Sequence, residues 1–195
     1  MPRLAPLSVC MPLVMVLLGC NDPHAADTDA GIRELSRSRE RILSLECYGP
    51  GISDEGLRAL EGCNHIEGVW LRGCPNVNGA TFGVFATMPR LQGVSLWGLT
   101  LVNGAFTFLS EAPLVWSLTM NGVAVPPGAL RDIARAPRLG ELVLWEVSGI
   151  SDDDLMELTA ARAPLSLIIG RCAGITASGV ERLRPRLPEC RVTFE

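Results

Sequence analysis

Cysteine, histidine and a run of aspartates are the residue types in this sequence that could do chemistry. The seven cysteines include no C-x-x-C spacing, which most structural zinc sites use, and two histidines are too few for most histidine-based metal or nucleophile sites. Motifs of the H-E-x-x-H, G-x-S-x-G and Walker types are absent. Asp152-Asp153-Asp154 begins a helical pattern, where carboxylates favour the positive end of the helix dipole over a calcium ion. We therefore expect no enzymatic activity, no metal and no cofactor.

The charge of the chain argues against nucleic acid as a partner. All 17 basic residues are arginines, and 21 acidic residues give the chain a net charge of −4. An acidic protein offers no overall attraction to a phosphate backbone. The 195 residues are 48% hydrophobic, which is enough to bury the core of one ordinary domain.

The amino-terminal residues predict a targeting segment. Residues 4–18 are an apolar stretch behind Arg3, and this stretch is too short to span a bilayer comfortably. The motif that closes it, Leu17-Leu18-Gly19-Cys20, resembles the lipobox of bacterial lipoproteins. The resemblance implies that residues 1–19 are a signal peptide and that Cys20 carries a membrane-anchoring lipid. It places the protein in the bacterial cell envelope, at the outer face of the inner membrane or in the outer membrane. A plain secretory signal and a buried cytosolic helix are the alternatives.

A short polar segment follows the lipobox. Residues 20–31 hold three aspartates and no bulky apolar side chain, so we expect a flexible tether there. Residues 32–41 would then cap the domain that occupies residues 42–195.

Two apolar signatures repeat through this domain. The first is a pair of apolar residues separated by one residue, which is typical of a strand and recurs every 24 to 26 residues. The second is an aliphatic residue, then a position rich in helix N-cap types, then apolar residues at helical spacing. The pairs are Leu43/Leu45, Val69/Leu71, Val94/Leu96, Leu118/Met120, Leu142/Leu144, Leu167/Ile169 and Val192/Phe194, and the second signature begins at Ile52, Val77, Leu101, Val125, Ile150 and Ile175.

A unit of one strand and one short helix cannot cover its own apolar face, so such units must stack. The repeats predict an α/β solenoid with a parallel sheet of about seven strands on its concave side and about six short helices on its convex side. The chain resembles the leucine-rich repeat proteins. Two motifs, Cys63-x-x-Ile66-x-x-Val69-x-Leu71-x-x-Cys74 and Ile52-Ser53-Asp54-Glu55-Gly56-Leu57, resemble the cysteine-containing, ribonuclease-inhibitor-like repeats. Later repeats depart from that subclass, because Leu99, Val123 and Val147 occupy the loop position of Cys74 and Cys172.

The cysteines of the domain are predicted to be structural thiols. They are Cys47, Cys63, Cys74, Cys172 and Cys190, an odd number, and three of them fall on positions that are apolar in other repeats. A disulfide between Cys47 and Cys74 on neighbouring coils is the alternative, which an oxidising compartment would permit.

The concave face of the sheet is the candidate binding surface. Strand side chains alternate between faces, so the residues between the buried pairs point away from the core. This alternation places Trp70, Arg72, Trp97, Asn121 and Trp145 on that face, and tryptophan and arginine dominate binding hot spots.

Two further expectations follow from the same alternation. Glu46 should lie beside Arg72, and Trp116, which has the opposite parity, should be structural. As an alternative to ligand binding, the outward tryptophans could be covered by residues 32–41 or by a second copy of the chain.

Three functions are compatible with these features. The first is a membrane-tethered, non-catalytic module that binds a protein ligand on the concave face. The second is a carbohydrate-binding lipoprotein in which Trp97 and Trp145 stack on sugar rings. The third, suggested by the cysteine-containing repeats, is a cytosolic substrate adaptor of the F-box kind, although residues 32–41 are too short for an F-box.

The lipobox resemblance generates a direct prediction. The mature native protein should begin at Cys20, carry acyl chains in its intact mass and partition into detergent, because two or more chains hold a protein firmly at a bilayer. Cys20→Ser should release the protein from membranes. An intact mass that retains residues 1–19, or unchanged membrane association in the variant, would show that the chain is not a lipoprotein.

Overall fold

The computed structural model describes residues 24–161 and 165–195, which form one stack of coils. The predictions for residues 1–19 and for Cys20 concern residues outside this described part, and they stay predictions.

A single parallel sheet of eight strands is the backbone of the described structure. Each strand is hydrogen-bonded to the strands before and after it in the chain, so the sheet order is the sequence order. The strands are β1 Ala25–Thr28, β2 Leu45–Gly51, β3 Gly68–Arg72, β4 Gly93–Trp97, β5 Ser117–Asn121, β6 Glu141–Trp145, β7 Ser166–Gly170 and β8 Arg191–Phe194. The predicted α/β solenoid with a single parallel sheet is therefore confirmed, with eight strands where about seven were predicted.

Short helical segments connect the strands. The α-helices are α1 Asp29–Ser36, α2 Asp54–Leu57, α3 Ala129–Ala134, α4 Asp152–Leu155 and α5 Ala177–Leu183, and 3₁₀ helices occur at Arg58–Leu60, Phe82–Thr87, Thr107–Ser110, Met156–Ala160 and Arg184–Arg186. Of the six predicted helices, the second and third form 3₁₀ turns without an α-helix, around a cluster of Phe82, Phe85 and Phe108 rings. Within the described residues, no helix is long and apolar enough to cross a membrane.

The register of the first predicted strand is wrong by two residues. Leu45 and Cys47 pair with Val69 and Leu71, and both are buried, whereas Leu43 is 65% exposed. The correct pair lies 24 residues before its neighbour, which restores the spacing of the other repeats. Cys47 was overlooked because a cysteine replaces the usual aliphatic residue at a buried position.

The tether prediction is wrong for residues 24–31. Ala25–Thr28 is a strand paired with β2, and the helix that follows buries Ile32 completely. Thr28-Asp29-Ala30-Gly31-Ile32 repeats the helix start of Ser53-Asp54-Glu55-Gly56-Leu57, but Asp27 stands where other copies have an aliphatic residue. A strand needs only small residues such as Ala26 where a neighbouring coil covers it, so low hydrophobicity did not prevent folding.

Carboxylates hold adjacent coils together where the helices begin. The Ser53 backbone N–H and hydroxyl donate to the two oxygens of Asp29 at 2.8 and 2.6 Å, and Thr176 donates in the same way to Asp152 at 2.8 and 2.7 Å. The bonds from Thr176 hold the pKa of Asp152 below its usual range. A carboxylate with a lowered pKa stabilises the fold at neutral pH, and that contribution disappears as the pH falls through the lowered pKa.

The same carboxylates explain the glycine in the repeated helix start. A Cβ at Gly56 would overlap the carboxylate of Asp29, and a Cβ at Gly179 would overlap that of Asp152. The helix start at Ser151 receives no aspartate from the preceding coil, because Pro127 occupies that position there. Instead, Asp154 of the same helix accepts from the Ser151 backbone N–H at 2.8 Å. Each of these helix starts thus obtains one carboxylate, from its own coil or from the preceding one.

Stacking predicts that a central coil matters more than a terminal one. Leu142→Ala or Leu144→Ala should lower the free energy of unfolding by about 2–5 kcal/mol, because both side chains are fully buried. Deleting residues 191–195 should cost less, since β8 contacts one neighbouring strand in the described sheet. Chemical denaturation measures both, and equal or reversed losses would contradict one-dimensional stacking.

A double-mutant cycle tests the carboxylate contact. Gly179→Ala should lower the free energy of unfolding by about 1–3 kcal/mol, as overpacking does, and should cost much less in an Asp152→Ala background. Gly83→Ala is the matched control, because nothing lies within 4 Å of its added Cβ. Additive effects of the two changes in urea titrations would refute the coupling.

Candidate ligand-binding surface

One row of side chains on the open face of the sheet brings together most of the predicted site. Strand register aligns Tyr48, Arg72, Trp97, Asn121, Trp145 and Gly170 across six consecutive strands. Because neighbouring strands lie about 4.8 Å apart, Trp97 and Trp145 are about 10 Å apart with Asn121 between them. We call this row the tryptophan row. The alternation placed its predicted members on the correct face, but Tyr48, not Glu46, lies beside Arg72.

The Arg72 side chain covers the indole of Trp97. Its guanidinium carbon lies 5.7 Å from the ring centroid, within the range of a cation–π contact. The indole Nε1 is buried and has no hydrogen-bond acceptor among the described residues. A buried donor without a partner costs roughly 1–3 kcal/mol, so an acceptor that reached this N–H would recover that free energy.

Trp145 lies against the backbone of the next strand. A Cβ at Gly170 would overlap the six-membered ring of Trp145, so the absence of a side chain at position 170 lets the indole lie across β7. This contact leaves Trp145 partly exposed while fixing where its ring lies. The row therefore presents two held aromatic rings on either side of the Asn121 amide, with Arg72 at one end.

Trp70 belongs to a second row. It pairs in register with Glu46 and Ser95, one outward position earlier along the strands than the tryptophan row. Its side chain is half-buried, as are those of Trp97 and Trp145. The second row thus extends the aromatic surface diagonally towards Arg72.

Two charged residues, Glu146 and Arg171, follow the tryptophan row and were not predicted from the sequence pattern. Glu146 and Arg171 each have φ of 53°, in the left-handed region that non-glycine residues seldom adopt. Three earlier coils have Gly73, Gly98 and Gly122 with positive φ at this turn. Arg171 and Glu146 form an exposed ion pair at 3.0 Å, directly after Gly170 and Trp145. Aligning the residue after each strand would have revealed two charges where glycine is the unstrained choice.

The expectation that Trp116 is structural is wrong. Its side chain is 47% exposed, because it precedes β5 in a turn instead of packing under the sheet. Parity within a strand says nothing about a residue that lies outside the strand.

The five cysteines of the described residues lie apart from this surface and are free thiols. Cys47, Cys63, Cys74 and Cys172 are buried, and burial raises the pKa of each of these thiols. The alternative disulfide is not formed, and the Cys74 thiol instead donates to the Cys47 carbonyl at 3.5 Å. Protonated, buried thiols of this kind act as small apolar side chains.

Comparison with known proteins finds similarity in structure alone. No family model and no curated protein sequence matches the chain. Among solved structures, it is similar to the plant peptide hormone receptor RGFR1 in complex with RGF2, with 17% identity and a TM-score of 0.44 over 85% of this chain. This chain spans 26% of that receptor chain. It is also similar to internalin C2 from Listeria monocytogenes, with 13% identity and a TM-score of 0.37, over 86% of this chain and 84% of the other.

Proposed function

We propose that this protein is a non-catalytic recognition module, tethered to a membrane by a lipid on Cys20, that binds a protein ligand on the open face of its sheet. The observation that carries the binding proposal is the tryptophan row, in which two partly exposed indoles and an arginine share one register position across neighbouring strands. Water-facing tryptophans forgo a large gain from burial, which a bound partner would supply.

The geometry of the row favours an extended peptide segment. Two indoles about 10 Å apart match side chains three residues apart in an extended polyproline II segment, which has three residues per turn and rises about 3.1 Å per residue, so that both side chains face the same side. The Asn121 amide between the rings can both donate to and accept from a peptide backbone. The Arg72 guanidinium offers donors to a carbonyl or carboxylate.

Carbohydrate binding remains the second candidate because of Trp145. Its ring packs on the Gly170 backbone while the residue stays partly exposed, which is the arrangement a sugar-stacking platform requires. Trp97 suits a sugar less well, since the Arg72 guanidinium already lies over its ring.

Site-specific crosslinking in the native envelope tests the choice between these ligands. A photoreactive amino acid at Asn121 should yield a defined protein adduct, whereas the same group at exposed Ser110, in the helical layer, should not. Binding to a glycan array without a protein adduct would support the carbohydrate function and refute the protein one.

Substitutions in the tryptophan row should separate binding from stability. With the crosslinked partner purified, Trp97→Ala and Trp145→Ala should weaken binding by about 2 kcal/mol or more while lowering the free energy of unfolding by about 1 kcal/mol or less. Trp116→Ala is the matched control and should leave the affinity unchanged, because Trp116 lies outside the row. Large losses of stability in the row variants, measured by thermal unfolding, would mean that these indoles serve the fold.

A further inference from the structure

Parallel strands all begin at one edge of a sheet, and in this protein that edge carries exposed apolar side chains. Leu43, Leu114 and Trp116 are 65%, 38% and 47% exposed and lie in the turns that lead into β2 and β5. The described part of the chain has two other large apolar residues with comparable exposure, Tyr48 and Val102. We call the surface formed by Leu43, Arg90, Leu114, Trp116 and Arg138 the entry edge.

Backbone hydrogen bonds show that these turns lie side by side. The Trp116 N–H donates to the Gln92 carbonyl at 2.9 Å, and the Gly140 N–H donates to the Trp116 carbonyl at 2.8 Å. Trp116 and Leu114 line a shallow groove with Gln92, Pro137 and Arg138. The exposed aromatic ring is therefore part of a continuous surface across three coils.

Arginines flank the apolar residues of the entry edge. Arg90 and Arg138 follow a proline in their turns, as Leu114 does in the turn between them, so the order across the coils is arginine, leucine, arginine. No carboxylate of the described residues lies within 4.0 Å of the Arg138 guanidinium. The hydrogen bond from Arg41, at 2.6 Å, and the charges of Arg41 and Arg90 hold the pKa of Glu67 below its usual range.

The opposite edge of the sheet is rich in carboxylates. The helices begin there, and their first turns contain Asp29, Asp54, Glu55 and the run Asp152-Asp153-Asp154. The entry edge also carries Glu67, which Arg41 holds, and Glu141 at the start of β6, but it lacks the run of aspartates of the far edge. An anionic surface would therefore be repelled less by the entry edge than by the far edge, even though the whole chain is acidic.

The amino-terminal segment joins the domain at the entry edge. The His24 carbonyl accepts from the Glu46 N–H at 3.1 Å, which places His24 beside Leu45, the first residue of β2. Cys20 precedes His24 by four residues, so covalent geometry limits the distance between their Cα atoms to about 14 Å. A lipid on Cys20 would therefore hold a bilayer close to the end of this edge at which β1 and β2 begin.

We propose that the entry edge docks on a lipid bilayer with anionic head groups. Leu43, Leu114 and Trp116 enter the interfacial region, where tryptophan is favoured, and Arg90 and Arg138 contact lipid phosphates. The strands then run away from the membrane, and the tryptophan row stays accessible from the side. This inference rests on the proposed function for the lipid anchor, which raises the local concentration so that a small surface suffices.

Quenching of tryptophan fluorescence by brominated lipids tests the docking. The native protein is placed in vesicles of brominated phosphatidylcholine with about a quarter phosphatidylglycerol, an anionic lipid. Trp116→Phe should reduce the quenched fraction about threefold, since Trp116 is the indole at the interface, and Trp97→Phe should not. Arg138→Gln should reduce quenching about twofold in anionic vesicles, whereas Arg58→Gln, an exposed arginine in the helical layer, should leave it unchanged.

The outcomes separate the docking from the lipid anchor, whose presence is read independently from intact mass. Acylated protein whose quenching is unaffected by Trp116→Phe would overturn the docking and leave the anchor intact. Trp116-dependent quenching of protein without acyl chains would support the docking and refute the anchor. If quenching were equal in neutral and anionic vesicles, the arginines would have no role in the docking. If the lipids quenched no fluorescence and an acidic protein were instead found bound at Trp116, the docking would be overturned and this edge would bind a protein partner.

Discussion

No coil of this protein can bury its own apolar face, and the whole structure depends on that constraint. One strand and one short helical turn enclose the core on two sides, while the coils before and after close the rest. The dependence is polar as well as apolar, because Ser53 and Thr176 complete their helix starts with a carboxylate of the preceding coil. A coil is therefore a stable unit only within the stack.

Stacking also fixes the surface that the proposed ligand would meet. A constant register places one side chain from each strand in the same row, so neighbouring repeats determine the surroundings of every indole. The Arg72 guanidinium lies over the Trp97 ring, and Gly170, which has no side chain, lets the Trp145 ring lie against its backbone. Specificity in such a surface is distributed over consecutive repeats, and a change in one repeat alters the side chain presented by the next.

Periodicity in the sequence was sufficient to predict the repeated strands, their parallel pairing and the face to which Trp97 and Trp145 belong. It was insufficient wherever a residue departs from the repeat for a local reason. Cys47 is buried where other repeats have an aliphatic residue. The first coil was not predicted because Asp27 stands where the other repeats have the aliphatic residue that precedes the helix start. Trp116 shows a different limit, since alternation holds within a strand and not in the turn before it.

The charged pair Glu146 and Arg171 and the contact of Trp145 with Gly170 lay beyond periodicity for a third reason. They depend on backbone dihedral angles and on the space above one particular glycine, and a pattern of apolar residues does not encode either. The position of Tyr48 beside Arg72 followed only once the register of β2 was known.

The first helix start, Thr28 to Gly31, has the same hydroxyl cap and the same missing Cβ as those that receive an aspartate from the preceding coil. Among the described residues, no aspartate accepts from Thr28 as Asp29 does from Ser53, and the atoms nearest to a Cβ at Gly31 belong to Ala26 and Thr28. The hydroxyl and the glycine of one coil and the aspartate of the preceding coil together connect the two coils. An additional coil with aspartate at its own helix start would match this connection, so the length of the array is open to engineering without redesign of the existing coils.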